Sequence, residues 1–207
     1  MVAATPLALP HPATFAEDAD QRVILHGVSW ERYEALVALL GDDFPGLRVT
    51  YCEGALELMS PSRSHESIKK TFARLIETYA TEMEIELEGY GSTTFRKGAK
   101  ERGAEPDECY TVGVMGEIPD IAFEVVSTSG GLDKLTVYQG LGVPEVWFWE
   151  AGAITLHRLG PEGYREASGS RFLPDLDVAE LVRFLDLPTQ TRAARAYRDA
   201  LRARRVG

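Results

Sequence analysis

Asp107, Glu124 and Lys134 are the side chains of this sequence best suited to chemistry on a phosphodiester. Glu105-Pro106-Asp107 is followed by Pro119-Asp120, by Glu124 inside an apolar stretch, and by Lys134 with Tyr138 beyond it. Magnesium prefers hard oxygen ligands, keeps several waters, and needs only one or two protein carboxylates. Such an ion activates a water and neutralises the phosphate under attack, and a nearby lysine can stabilise the charge that develops at phosphorus. Ile121, Phe123 and Val125 alternate with Glu124, so the pleat of a strand turns Glu124 to the face opposite those three. A carboxylate placed there is costly unless a cation or hydrogen bonds compensate it, and a buried salt bridge is the competing reading.

Strand spacing selects the partner of Glu124. Asp120 shares its face but stands four positions earlier, roughly 13 Å away at about 3.3 Å per residue. One ion with ligands at about 2.0 to 2.1 Å does not span that gap. Asp120 is therefore expected to begin the strand or turn into it. Asp107 opens a neighbouring strand that can lie one ladder spacing, about 4.8 Å, from Glu124. Asp107 and Glu124 are thus the expected ligands of Mg2+, with Mn2+ as a substitute. Lys134 is assigned the assisting role, against the alternative of an ordinary exposed helical lysine.

The elements that must position these groups follow from periodicity and punctuation. Strands are expected over 22–25, 48–52 and 55–59, the last two turning at Gly54, and Ser29 caps a helix carrying Tyr33, Leu36, Val37 and Leu40. A long helix over 64–84 presents Ile68, Phe72, Leu75, Ile76, Tyr79 and Met83 as one stripe. Short strands are expected over 85–88 and 93–96, with 97–103 as a loop. Strands over 107–112 and 121–126 precede a helix holding Lys134, Leu135, Tyr138 and Leu141, stopped by Gly142 and Pro144. A strand over 146–149, a hairpin over 154–167 and two helices, 178–185 and 191–204, complete the chain. This order describes an α/β fold with a central mixed β-sheet flanked by helices.

Three residues ahead of this region are accessory candidates. Glu57 alternates with Leu56 and Leu58 and so faces away from them, while His65 and Glu66 begin the long helix. Helical geometry puts His65 near the Ile68 and Phe72 stripe and turns Glu66 away from it, so His65 is the better placed to reach the sheet. A core or capping histidine is the ordinary alternative. Trp147 and Trp149 alternate about Phe148 on a strand, where core packing or a subunit contact outweighs base stacking.

Composition bounds the class. With 207 residues, 44% hydrophobic and 26% charged, the chain is long enough for one domain over 21–207, preceded by a loose tail over 1–20 that carries Pro6, Pro10 and Pro12. Cys52 and Cys109 are too few for a disulfide framework and read as reduced thiols of a cytoplasmic protein. No run approaches the roughly 18 apolar residues of a membrane span. A net charge of −10 argues against a protein that coats nucleic acid non-specifically, though it leaves room for a nuclease with an acidic metal site. Arg192, Arg195, Arg198, Arg202, Arg204 and Arg205, opposed only by Asp199, form a local basic stripe. A solvated amphipathic terminal helix explains the stripe more simply than a docking surface.

Several motifs in order resemble one family. Trp30, the run GALELMSPSRSHE from Gly54, EPDECY from Glu105, PDIAFEVVSTS from Pro119, Lys134 to Tyr138, and GVPEVW from Gly142 resemble the Uma-two family, which is assigned to the PD-(D/E)xK, or restriction-endonuclease-like, superfamily. The likeness covers roughly residues 25 to 185. It implies a restriction-endonuclease-like core and a magnesium-dependent endonuclease that hydrolyses phosphodiester bonds in nucleic acid, with DNA the first expectation. Asp107 then matches the first acidic ligand, Glu124 the second, and Lys134 the lysine supplied by the following helix. The parent superfamily carries its lysine two positions after the second acid, where this chain has Val126. Superfamily members often take a further acid from the first helix, which keeps Glu66 in consideration. The rival reading is a nuclease-like scaffold that binds a partner without cutting, and a glycosidase using the acidic pair is a more distant one. A homodimer is expected, because cutting two strands favours two sites.

Overall fold

The computed structural model describes residues 19–206 apart from 42, 45, 115, 128 and 129. Among the described residues, eleven strands fall into two sheets. The first is antiparallel and five-stranded, in the order β1 (Gln21–His26), β3 (Ala55–Ser60), β2 (Arg48–Cys52), β6 (Arg102–Ala104), β5 (Phe95–Lys97). The second is mixed and six-stranded: β11 (Gly163–Ala167), β10 (Ala153–Gly160), β9 (Glu145–Glu150), β8 (Ile121–Val126), β7 (Glu108–Val112), β4 (Leu87–Gly89). The α/β class with a helix-flanked mixed sheet holds, with the strands divided between two sheets.

β8 is the hub of the mixed sheet. It pairs antiparallel with β7 and parallel with β9, and the parallel step is made by helix α3 (Lys134–Leu141). Parallel neighbours need such a crossover, because a tight turn cannot return the chain in the same direction. Asp133 caps α3 by accepting from Leu135 N, and Gly142, at φ 89°, ends it in the left-handed conformation.

The alternation of β8 sorts the two faces. Ile121, Phe123 and Val125 pack with Phe72, Leu75, Ile76 and Tyr79 of helix α2 (Arg63–Met83). Phe72 and Phe123 stack with ring centroids 3.6 Å apart. Helices α4 (Val178–Leu185) and α5 (Gln190–Val206) close the same core through Leu181, Tyr197 and Leu201. Ala122 instead faces α3, beside Val137, Tyr138 and Leu141. The other side of α3 meets β6 and β5, so this short helix lies between the two sheets. Helix α1 (Trp30–Leu40) covers the first sheet through Tyr33, packed on Val49, Tyr51 and Leu56.

One expected loop changes. The polar stretch 97–103 is not all loop, since β6 begins at Arg102 and joins β2 to β5. It pairs with the neighbouring β5 on one side and the distant β2 on the other, and no local alternation announces it. The basic stripe of α5 is largely spent on ion pairs: Arg202 grips Glu82 with two bonds of 2.8 Å, Arg204 meets Glu180, and Arg205 reaches Glu84 at 3.6 Å. Ala193 and Tyr197 on the same helix are fully buried while Arg192, Arg195, Arg202, Arg204 and Arg205 are exposed, so α5 is the amphipathic helix expected, packed on one face and solvated on the other. Of the expected tail, residues 1–18 lie outside the described residues, but Asp20 is buried. Among the described residues no helix is long and apolar enough to cross a membrane.

Candidate active site

β7 and β8 bring the two expected carboxylates together. Their register pairs Glu108 with Phe123 and Cys109 with Ala122. Continued by one residue, it sets Asp107 opposite Glu124, and opposed residues of antiparallel strands share a face. Asp107 stands just before β7, where Pro106 precedes it, and its Oδ2 accepts from Val125 N at 2.8 Å. Both acids are almost wholly buried.

Helix α3 delivers the cation. Lys134, its first residue, places Nζ 3.3 Å from Glu124 Oε1 and donates to Thr50 Oγ1 at 3.0 Å. Tyr138, one turn further, donates its hydroxyl to the same Oε1. The i, i+4 spacing puts both donors on the side of α3 that faces β8. The ammonium beside Glu124 thus comes from the start of α3, and Val126 stands two positions after Glu124 on β8.

The long helix contributes from its start. Ser62 caps α2 by accepting from His65 N at 3.2 Å. The His65 ring is fully buried between two carboxylates, with Nδ1 3.0 Å from Asp20 Oδ2 and Nε2 2.9 Å from Asp107 Oδ2. The second contact is an ion pair without the alignment of a hydrogen bond. Glu66 turns outward, half-exposed, to Arg48 and Lys69, and does not join the acids. Glu57 is buried, with Arg22 Nε at 3.3 Å and Leu132 N donating at 2.9 Å to its Oε2. It thereby pins the segment that leads into Lys134. A side chain at position 131 would place its Cβ 2.8 Å from that oxygen, so the close approach needs Gly131.

A cavity of about 270 Å3 opens onto Glu124 and Lys134, walled by Arg22, Glu57, Gly131 and Phe148. A larger one, about 410 Å3, lies between α2 and the start of α5 and is lined by no carboxylate. Of these two, the acidic cavity is the one that Glu124 and Lys134 both line. Its aromatic wall is Phe148, which the parallel register sets beside Glu124. Trp147 is fully buried on the opposite face, where Trp149 packs beside it.

Electrostatics describe a site with excess negative charge. Burial would raise the Asp107 pKa, but the contact with His65 outweighs it and holds the carboxyl below its ordinary 3.8. Burial would lower the His65 pKa, and Asp107 and Asp20 outweigh it and lift the ring above 6.5. Burial raises Glu124 above 4.5, with Lys134 opposing and Asp107 reinforcing. For Lys134 burial is again outweighed, by Glu124, Glu57 and Asp107, so its pKa rises. Glu124 and Lys134 thus hold their protons more firmly, the first chiefly through burial and the second through the surrounding carboxylates, while Asp107 gives its proton up more readily.

A hard divalent cation fits these residues. Asp107 Oδ1 is buried and has no hydrogen-bond partner, an expensive state for a carboxylate oxygen unless it has a use. Among the described residues no three His, Cys, Asp or Glu side chains converge as a ligand cage. Two carboxylates with waters suit magnesium, whereas structural zinc requires four protein donors. Asp120 stays apart as the spacing requires, accepting from Val112 N at 2.9 Å.

Sequence reasoning did not identify Asp20, Arg22 or Thr50 as neighbours of this site. Each is an unremarkable polar residue in its local context and acquires its place only through pairing of remote segments.

The region 30–190 matches the family model Uma2, described as "Putative restriction endonuclease". A solved structure, titled as that of a "putative nuclease belonging to DUF820" from Anabaena variabilis ATCC 29413, is similar at 15% identity, covering 66% of this chain and 90% of its own, with a TM-score of 0.49. Among curated proteins none matches.

Proposed function

The chain belongs to the Uma2 family, and from that premise we propose that it is a metal-dependent endonuclease that hydrolyses phosphodiester bonds in nucleic acid, with DNA as the substrate. The observation that carries the reading is the juxtaposition of Asp107 and Glu124 across β7 and β8, with Lys134 Nζ 3.3 Å from Glu124. Asp107 and Glu124 would hold the ion, Mg2+ or Mn2+, which when bound neutralises phosphate charge and lowers the pKa of water. Lys134 stabilises negative charge on the phosphoryl oxygens at the cavity, and Thr50 holds its ammonium in place. Tyr138 fixes one oxygen of Glu124. Unbonded Cys52 and Cys109 support a reducing compartment such as the cytoplasm. Cutting both strands calls for two sites, which a homodimer supplies.

Incubating plasmid DNA with the protein and Mg2+, beside Asp107→Asn and Glu124→Gln, tests the reading. Nicking or linearisation by the parent protein and neither variant is expected. Equal activity in all three would refute the site. The net charge of −10, and a lysine that comes from α3 and not from position 126, favour a second reading as a binding scaffold. Calorimetric titration with Mn2+ separates the two, because a scaffold shows no metal uptake that Glu124→Gln removes.

A further inference from the structure

We propose that Asp20 is a positioning residue of this site, acting through the His65 ring to hold the Asp107 carboxylate with Oδ1 turned toward the ion. The inference rests on the reading of Asp107 as a metal ligand. Asp20 lies outside residues 30–190, which match the family model, and its side chain is fully buried.

The geometry forms a chain of contacts. Asp20 Oδ1 accepts from Ser62 N at 2.8 Å, and Oδ2 lies 3.0 Å from His65 Nδ1. An ionised carboxylate can only accept, so Nδ1 carries the proton and the ring orientation is set. Nε2 then meets Asp107 Oδ2 at 2.9 Å. That same Oδ2 also takes Val125 N–H at 2.8 Å, while Oδ1, buried, has no hydrogen-bond partner. One oxygen is committed to the protein and the other is left for a ligand. Partners of this kind behind a metal ligand typically contribute 10- to 100-fold to affinity. Asparagine at position 20 retains one acceptor but turns an NH2 toward either Ser62 N–H or the ring N–H, so it cannot serve both.

A purely structural role is the competing account, since Asp20 also braces the start of α2 through Ser62. A double-mutant cycle on Mn2+ affinity, read by calorimetry on the full chain, separates them. Asp20→Asn and His65→Gln should each weaken binding roughly tenfold, and the double variant should bind no more weakly than His65→Gln alone. Unchanged affinity in Asp20→Asn, or a further tenfold loss in the double variant, overturns the proposal. Failure of the parent protein to take up Mn2+ overturns the ligand reading itself, and the proposal with it. Should Asp20→Asn not fold, nitrogen NMR of the metal-free parent protein decides. A proton on His65 Nδ1 is expected, and a bare Nδ1 overturns the assignment.

Discussion

Replacing Lys134 with methionine should convert the protein into one whose stability leans on a divalent ion. The side chain is 14% exposed and its ammonium lies 3.3 Å from a Glu124 carboxylate that is 5% exposed. At an effective dielectric of 20, the Coulomb attraction at that distance is ~5 kcal/mol. Removing one partner of such a buried pair costs about 3 to 5 kcal/mol, because the other charge stays desolvated. Thr50 loses its donor as well. For a chain of this size each kcal/mol moves Tm by about 2 to 4 °C, so a fall of roughly 6 to 20 °C is expected in chelator. Mn2+ should then narrow the gap, since the ion supplies the charge that Lys134 did and no longer meets its repulsion. Saturation at a hundred times Kd returns about 2.7 kcal/mol. Differential scanning calorimetry of parent and variant, with EDTA and with Mn2+, reads both effects, and plasmid cleavage should drop despite tighter metal. A variant as stable as the parent in EDTA, or a gap that widens with Mn2+, would refute the shared-charge account of the site.

Three further outcomes follow from the geometry. Asp120→Asn weakens only the bond to Val112 N, so it should cost about 1 kcal/mol in urea unfolding and leave Mn2+ affinity unchanged. In the metal-free protein, His65 has a pKa above its ordinary 6.5, so its contribution is complete below 6.5 and is lost as pH rises through the raised value. Asp107 has a pKa below 3.8, so its contribution is present above 3.8 and is lost as pH falls through the lowered value. His65→Gln should therefore destabilise most between those limits and least in alkaline buffer, measured as urea midpoints. Phe72→Ala removes a fully buried ring stacked on Phe123 and should cost about 3 to 5 kcal/mol by equilibrium denaturation.

Legibility in the sequence tracks the range of the interaction. The stripe from Ile68 to Met83 announces α2, and its boundaries move by only a residue because Ser62 supplies a local cap. Alternation around Glu124 correctly separates the helix-packed face of β8 from the other. The same alternation puts Phe148 opposite Trp147 and Trp149, yet it does not say which side holds the core. The position of α2 decides that, which is why Phe148, and neither tryptophan, walls the acidic cavity. Arg202 and Arg204 pair with Glu82 and Glu180, acids of other helices that the local sequence around α5 does not name.

By itself, the sequence determined that Asp107 and Glu124 lie on neighbouring strands, that Lys134 rides on the helix after them, and that Asp120 stands apart. Those depend on residue type and on periods of two and 3.6 residues, which local backbone geometry imposes. Only the tertiary structure decided that Asp20 reaches His65 and that Glu57 pins the start of α3. It also brought Thr50 to the Lys134 ammonium. These contacts join segments far apart in the chain. No local pattern encodes them, because their partners are chosen by how two sheets and a short helix pack.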